Sequence, residues 1–178
     1  IAASIGAGGP VYVEAWNGYS VSGATGGIYA SSTNANAVQV NTYTTISGGS
    51  GDGINATSSG NGTVTVDTYY SNITASGNGI YASTTGIINI GQNNGVYGSF
   101  SGMGNTSAGI RAVGATGAVT INNHGDMSAL TNAQDGIQAS STSGSINISN
   151  YGQIGSSRSE EHTSELQSLA YLVCRLLL

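Results

Sequence analysis

Gly27-Ile28-Tyr29-Ala30 returns four more times along the chain. The copies are Gly53-Ile54-Asn55-Ala56, Gly79-Ile80-Tyr81-Ala82, Gly109-Ile110-Arg111-Ala112 and Gly136-Ile137-Gln138-Ala139. Their isoleucines stand 26, 26, 30 and 27 residues apart. A motif returning at a fixed period of about 20–50 residues marks a stacked-repeat architecture. Each copy is followed by a second alternating run: Val38-Gln39-Val40, Val64-Thr65-Val66, Ile88-Asn89-Ile90, Val119-Thr120-Ile121 and Ile146-Asn147-Ile148. A single apolar site closes each period, at Ile46, Ile73, Phe100, Met127 and Ile154.

Alternation of β-branched and polar residues turns every second side chain to one buried face. The Gly, Asn, Ser and Thr between the runs are residues that turn a chain. The pattern therefore predicts an all-β chain: a right-handed parallel β-helix of about five coils, with 26–30 residues and three short strands per coil. Its inward ladders would be Ile28/Ile54/Ile80/Ile110/Ile137, Val38/Val64/Ile88/Val119/Ile146 and Ile46/Ile73/Phe100/Met127/Ile154. Ala30, Ala56, Ala82, Ala112 and Ala139 would form a small-residue column at a narrow corner. One coil cannot fold alone. It buries about five apolar side chains at roughly 1.5–3 kcal/mol each, against about 1–2 kcal/mol per ordered residue, so stability has to come from stacking.

Residues 1–26 read as a truncated or degenerate first coil. Val11-Tyr12-Val13 and Val21 stand for its second and third strands, with the first strand upstream or degenerate. Residues 27–157 hold the β-helix repeats. The third period carries an extended turn, Gly91–Gly98, read as a tolerated surface insertion. Asn122-Asn123-His124-Gly125 and Ser149-Asn150-Tyr151-Gly152 place asparagine at one turn position in successive coils, where side-chain amides can stack into a ladder. At Arg158 the character changes: residues 1–157 contain all 29 glycines and one leucine, whereas 158–178 contain no glycine and six leucines. The run Arg158–Ser168 resembles the in-frame translation of a sequencing-library adapter. Residues 158–178 are accordingly read as a non-native tail outside the fold, and the protein is expected to continue past Ser157 into further coils.

Residues 1–157 carry Glu14, Asp52, Asp67, Asp126 and Asp135 against Arg111 alone, with no lysine in the whole chain. Nucleic acid, which requires a basic footprint, is excluded as a partner. Residues 1–157 lack cysteine, and nothing in them points to a thiol or zinc site.

With these repeats in place, 27–157 resembles the passenger regions of bacterial autotransporters. The resemblance rests on the Gly-Ile-x-Ala starts, the Val/Ile-x-Val/Ile second strands and endings such as Asn150-Tyr151-Gly152-Gln153-Ile154. It implies a surface-displayed or secreted protein, tethered through the outer membrane by a C-terminal β-barrel in the full-length chain. It also implies a non-catalytic structural or adhesive role.

No catalytic residue, cofactor or metal ligand is expected. Asp52 and Asp135 precede their Gly-Ile pairs at a position that also accepts Gly26, Asn78 and Ala108, so they read as turn residues. Gly48-Gly49-Ser50-Gly51-Asp52 resembles a calcium-binding nonapeptide but misses by one residue and is not tandem. His124 reads as a solvated turn residue. The outward position of Gly-Ile-x-Ala, occupied by Tyr29, Asn55, Tyr81, Arg111 and Gln138, is the candidate contact column for a host-surface protein or a glycan. Two rivals stand beside this reading: a β-helix polysaccharide lyase or hydrolase, and the head of a trimeric autotransporter adhesin, whose repeats are about half this length.

Resequencing the source gene across the codon for Ser157 is expected to show the frame running on through more Gly-Ile-x-Ala coils. A gene that encodes Arg158–Leu178 followed by a stop codon overturns the adapter reading.

Overall fold

The computed structural model describes residues 1–5, 8–93, 95–104, 106–130 and 135–155. The segment 158–178, read above as a non-native tail, lies outside the described residues. The described chain is all-β and forms a parallel β-solenoid with three sheets along its axis. In chain order the strands are β1 Ala2–Ile5, β2 Val11–Ala15, β3 Ser20–Ser22, β4 Ile28–Ser32, β5 Val38–Thr42, β6 Thr45–Ser47, β7 Ile54–Ser58, β8 Val64–Thr68, β9 Ile73–Thr74, β10 Ile80–Thr84, β11 Ile88–Ile90, β12 Phe100–Ser101, β13 Ala108–Gly114, β14 Val119–Asn123, β15 Asp135–Ser140 and β16 Ile146–Asn150. The first sheet runs β1-β4-β7-β10-β13-β15, the second β2-β5-β8-β11-β14-β16 and the third β3-β6-β9-β12. Every pairing is parallel and joins one turn to the next, so the six rungs of the first two sheets span about 25 Å at the usual strand spacing.

The registers are those the repeat dictates. Ile28, Ile54, Ile80, Ile110 and Ile137 pair in succession. So do Val38, Val64, Ile88, Val119 and Ile146. In the third sheet Ile46, Ile73 and Phe100 align, and bridges at Ser99–Asp126 and Met127–Ile154 carry that ladder onward. Ala30, Ala56, Ala82 and Ala112 form a fully buried column. The first turn has its first strand within the chain: β1 pairs with β4, Ala3 lies opposite Ala30, and Tyr29 N–H donates to Ile1 O at 2.8 Å. Ile1-Ala2-Ala3 thus takes the place of Ile-x-Ala. Met103 and Leu130, absent from the expected ladders, are also buried and extend the core beyond Phe100 and Met127.

The glycine of the motif has a packing cause. None of Gly27, Gly53, Gly79, Gly109 and Gly136 has a positive φ, so conformational freedom does not explain them. A Cβ on Gly27 would lie 2.5 Å from Ile46 Cγ2 and 2.6 Å from Gly53 O. The same collision recurs at Gly53 with Ile73, at Gly79 with Phe100, at Gly109 with Met127 and at Gly136 with Ile154. Each coil closes where its third-strand side chain rests on its own first-strand glycine.

Hydroxyls turn the chain from the first sheet to the second. Buried Ser58 donates to Asn34 O at 3.0 Å, and buried Thr84 to Gly60 O at 2.9 Å and Gly62 O at 2.7 Å, so each buried hydroxyl finds its acceptor in a turn carbonyl of the preceding rung. The long period places four extra residues between Ile90, opposite Val66, and Val96, opposite Thr68, and three more between Phe100, opposite Ile73, and Ile110, opposite Ile80. Gly91 (φ 74°) and Gly95 (φ 89°) fold the first excursion back, with Gly95 N–H on Gly91 O at 3.0 Å.

Gly53→Ala is expected to destabilise the chain by about 1–3 kcal/mol, the usual cost of overpacking a filled core. Gly9→Ala, where nothing stands within 4 Å of the added carbon, is expected to change little. Urea unfolding of both variants checks the contrast.

Candidate functional site

The motif's outward column is in register. Tyr29, Asn55, Tyr81, Arg111 and Gln138 follow one another across adjacent rungs, the first four between neighbours buried on either side and Gln138 between the partly buried Ile137 and Ala139. Its middle is engaged within the protein. Asn55 Nδ2 donates to Asp52 Oδ2 at 2.9 Å, and the Arg111 guanidinium lies 6.0 Å from the centre of the Tyr81 ring, a cation–π distance. The open members are Tyr29, which is 49% exposed, and Gln138. Tyr29, Asp52 and Asn55 line a groove of about 640 Å³.

The carboxylates serve the turns. Asp52 Oδ1 accepts from the Asn78 backbone N–H at 2.7 Å and from Asn78 Nδ2 at 2.9 Å, while Asn78 Oδ1 accepts from Ala108 N–H at 3.0 Å. This relay crosses three rungs at the position where the sequence accepts several residue types. Asp135 pairs with Ala108 one rung further on, which sets it three rungs from Asp52, roughly 14 Å. Asp67 is fully buried and accepts from Asn93 Nδ2 at 2.6 Å. The insertion therefore folds back to cap this carboxylate. Asp126 is exposed, and hydrogen bonds from the Ser128 side chain and backbone hold its carboxyl below the usual range. General acid–base work on a glycosidic bond needs two carboxyl groups across one gap, and Asp52 and Asp135, three rungs apart, lie beyond such a gap. Among the described residues no group of three or more His, Cys, Asp or Glu side chains converges as a metal site.

A second column was not anticipated. The residue after each second-sheet strand register is aromatic: Trp16, Tyr43, Tyr69, Tyr97, His124 and Tyr151. Trp16 stacks on Tyr43 with ring centres 5.0 Å apart and planes 7° apart, and Tyr43 on Tyr69 at 4.4 Å and 3°. Tyr97 then leans on Tyr70 instead, at 5.5 Å and 31°. His124 lies between Tyr97 and Tyr151, at 4.9 and 4.6 Å. His124 is thus half-buried between two rings and not the solvated turn residue expected. The signal was present in the sequence. Each ring stands five residues after the start of its second strand, except Tyr97, which the insertion displaces to nine. Beneath the rings, Asn123 Nδ2 donates to Asn150 Oδ1 at 2.7 Å, which is the expected amide ladder.

Gln92, Asn93, Asn122, His124 and Tyr151 border an open cleft of about 310 Å³ between the insertion and the aromatic column. A Cβ on Gly95 would lie 2.4 Å from His124 Cδ2, so the imidazole edge packs directly against the insertion backbone. The corner offers π-faces, phenol hydroxyls and neutral amides: chemistry for holding a ligand. Compared with protein-family models, curated proteins and solved structures, the chain matches none.

Desolvation first, and the charge of Tyr69 second, hold the Tyr43 phenol above its ordinary value of 10.0. For an acid whose folded-state pKa is raised, stability is complete below the unfolded pKa and falls as pH rises through the folded one. Stability is therefore expected to decline above about pH 10, and Tyr43→Phe, which keeps the stack, is expected to flatten that decline. Urea midpoints between pH 8 and 11.5 read the difference.

Proposed function

We propose that this chain is a section of a rigid, non-catalytic rod in an exported bacterial surface protein of autotransporter type, with an adhesive or spacing role. The observation that carries this reading is the continuity of the three sheets. Among the described residues, every rung pairs with the next in one register through a core whose one charged member is the capped Asp67. Such a rod resists bending because its backbone hydrogen bonds run along its axis and add with each coil. Its outer faces are free to vary without disturbing the ladders beneath them.

The bacterial surface location, the tether through the outer membrane and a β-barrel elsewhere in the full chain come with the autotransporter resemblance. The contact column is part of the same proposal: Tyr29 and its groove face outward, and Tyr81 presents what Arg111 leaves uncovered. A host-surface protein or a glycan would be held there weakly, by stacking and amide hydrogen bonds.

Displayed on non-adherent bacteria, the chain is expected to confer adhesion to host cells while leaving pectin-like polymers intact. Replacing Tyr29 and Tyr81 together by Ser is expected to reduce adhesion with Tm unchanged. Adhesion equal to the parent's removes this column from the contact surface, and turnover of the polymer overturns the non-catalytic reading.

A further inference from the structure

We infer that the aromatic corner of the rod, centred on Tyr70, Tyr97 and the cleft bordered by Gln92 and His124, binds an uncharged glycan chain. Tyr70 starts the argument. It is the one non-glycine residue with a positive φ among the described residues, at 55°, and its side chain is 82% exposed. Left-handed backbone is unfavourable for a residue with a Cβ. The corresponding position one rung on, after Tyr97, is Gly98, with φ 112°. A glycine at position 70 would relieve the strain, yet the chain places there a large ring that buries little of itself. Strain held at an exposed aromatic points to use of that ring by a ligand.

Two independent observations place the ligand on this corner. The insertion, present in one period alone among the described turns, forms its cleft against this column and not against the Gly-Ile-x-Ala face. In solenoids, insertions map to one face, often the binding face. Gln92 is exposed, and neither it nor the imidazole nitrogens of His124 have a hydrogen-bond partner among the described residues.

The chemistry selects the ligand class. The Tyr70 ring, exposed and tilted 31° from Tyr97, offers C–H/π contact to the apolar face of a pyranose, and amides with phenol hydroxyls match its equatorial hydroxyls. Exposed Asp126 and half-buried Glu14 flank the column, whereas Arg111 lies on the first sheet. A polyanion would be repelled and a neutral chain would not. A single polysaccharide strand lying along the axis would meet Tyr70, Tyr97 and the cleft in successive rungs.

The inference rests on the adhesive reading and names a surface for it. The test is affinity electrophoresis of the purified chain in gels containing mannan, hydroxyethylcellulose or galactan, with polygalacturonate as the polyanion. At least one neutral polymer is expected to retard the parent, and polygalacturonate is not. Tyr70→Gly is expected to weaken that affinity at least about tenfold while raising Tm. Gln92→Ala is expected to weaken it with Tm unchanged, and Tyr70→Phe to retain it. Retardation by none of the neutral polymers overturns the inference, as does undiminished retardation of Tyr70→Gly. Sedimentation showing a dimer for the parent and a monomer for Tyr70→Gly assigns the corner to a second copy and also overturns it. Displayed-cell adhesion separates the two readings: adhesion that survives Tyr70→Gly defeats the corner alone, and its absence in the parent defeats both.

Discussion

The contact on which the rod depends is that between the motif glycine and the third-strand side chain of the same coil. Ile46 on Gly27, Ile73 on Gly53, Phe100 on Gly79, Met127 on Gly109 and Ile154 on Gly136 are one interaction repeated. A three-strand coil has to bring its last strand back beside its first. The inward side chain there has no room unless the first strand lacks a Cβ at the point of closure. The same glycine carbonyls also approach from the neighbouring rung, at 2.5–2.7 Å from the added carbon in Gly27, Gly53, Gly79 and Gly109. Closure within a coil and spacing between coils are therefore set at one place. Where the third-strand residue is Phe100 or Met127, a second side chain crowds the same glycine: Met103 Cε lies 2.7 Å from the added carbon on Gly79 and Leu130 Cδ1 3.0 Å from that on Gly109.

Once closure and register are set, the outer surface is released from structural duty over most of its area. The exceptions are informative. Asp52 and Asn78 make a hydrogen-bonded relay between turns, Ser58 and Thr84 satisfy turn carbonyls, and Asn123 bonds to Asn150. Asp52 and Asn78, like Asn123 and Asn150, hold identical positions in successive rungs, which a parallel in-register stack brings to contact distance in every column. The aromatic corner follows from the same rule. Rings placed one per turn stand near the separation at which aromatic side chains stack. Four stacked pairs arise without any local sequence motif joining their members.

This geometry bears on function through what it leaves unspent. The carboxylates are divided among separate turns, with Asp67 sealed beneath Asn93 and Asp52 held by Asn55 and Asn78. Asp67 and Asp52 are thereby tied into the turns. The two outward columns differ in kind. On the Gly-Ile-x-Ala face, Arg111 covers Tyr81 and Asn55 turns to Asp52, so contacts within the protein consume the middle of the column. On the aromatic corner the most exposed ring, Tyr70, is held at a backbone cost and the neighbouring insertion opens a cleft. A surface that spends stability to present a side chain differs from one that merely tolerates it.

The period, the three strands per coil and the three inward ladders were legible in the sequence, because alternation of apolar residues is local and parallel stacking repeats it without change. The long third period showed in the 30-residue step between Ile80 and Ile110. Only the tertiary structure decided why the motif needs glycine, since the group that excludes a Cβ lies about twenty residues away on another strand. It also decided that Ile1-Ala2-Ala3 completes the first turn, that Asn93 caps Asp67 and that His124 lies between two tyrosines. Those contacts join residues about 26 positions apart, and a shift of one residue in register would abolish each of them. The offset that reveals the aromatic column is regular in five rungs and displaced by the insertion in the sixth. Composition and periodicity specify which residues face inward; which outward residues meet depends on how far each turn advances the chain before the next strand begins.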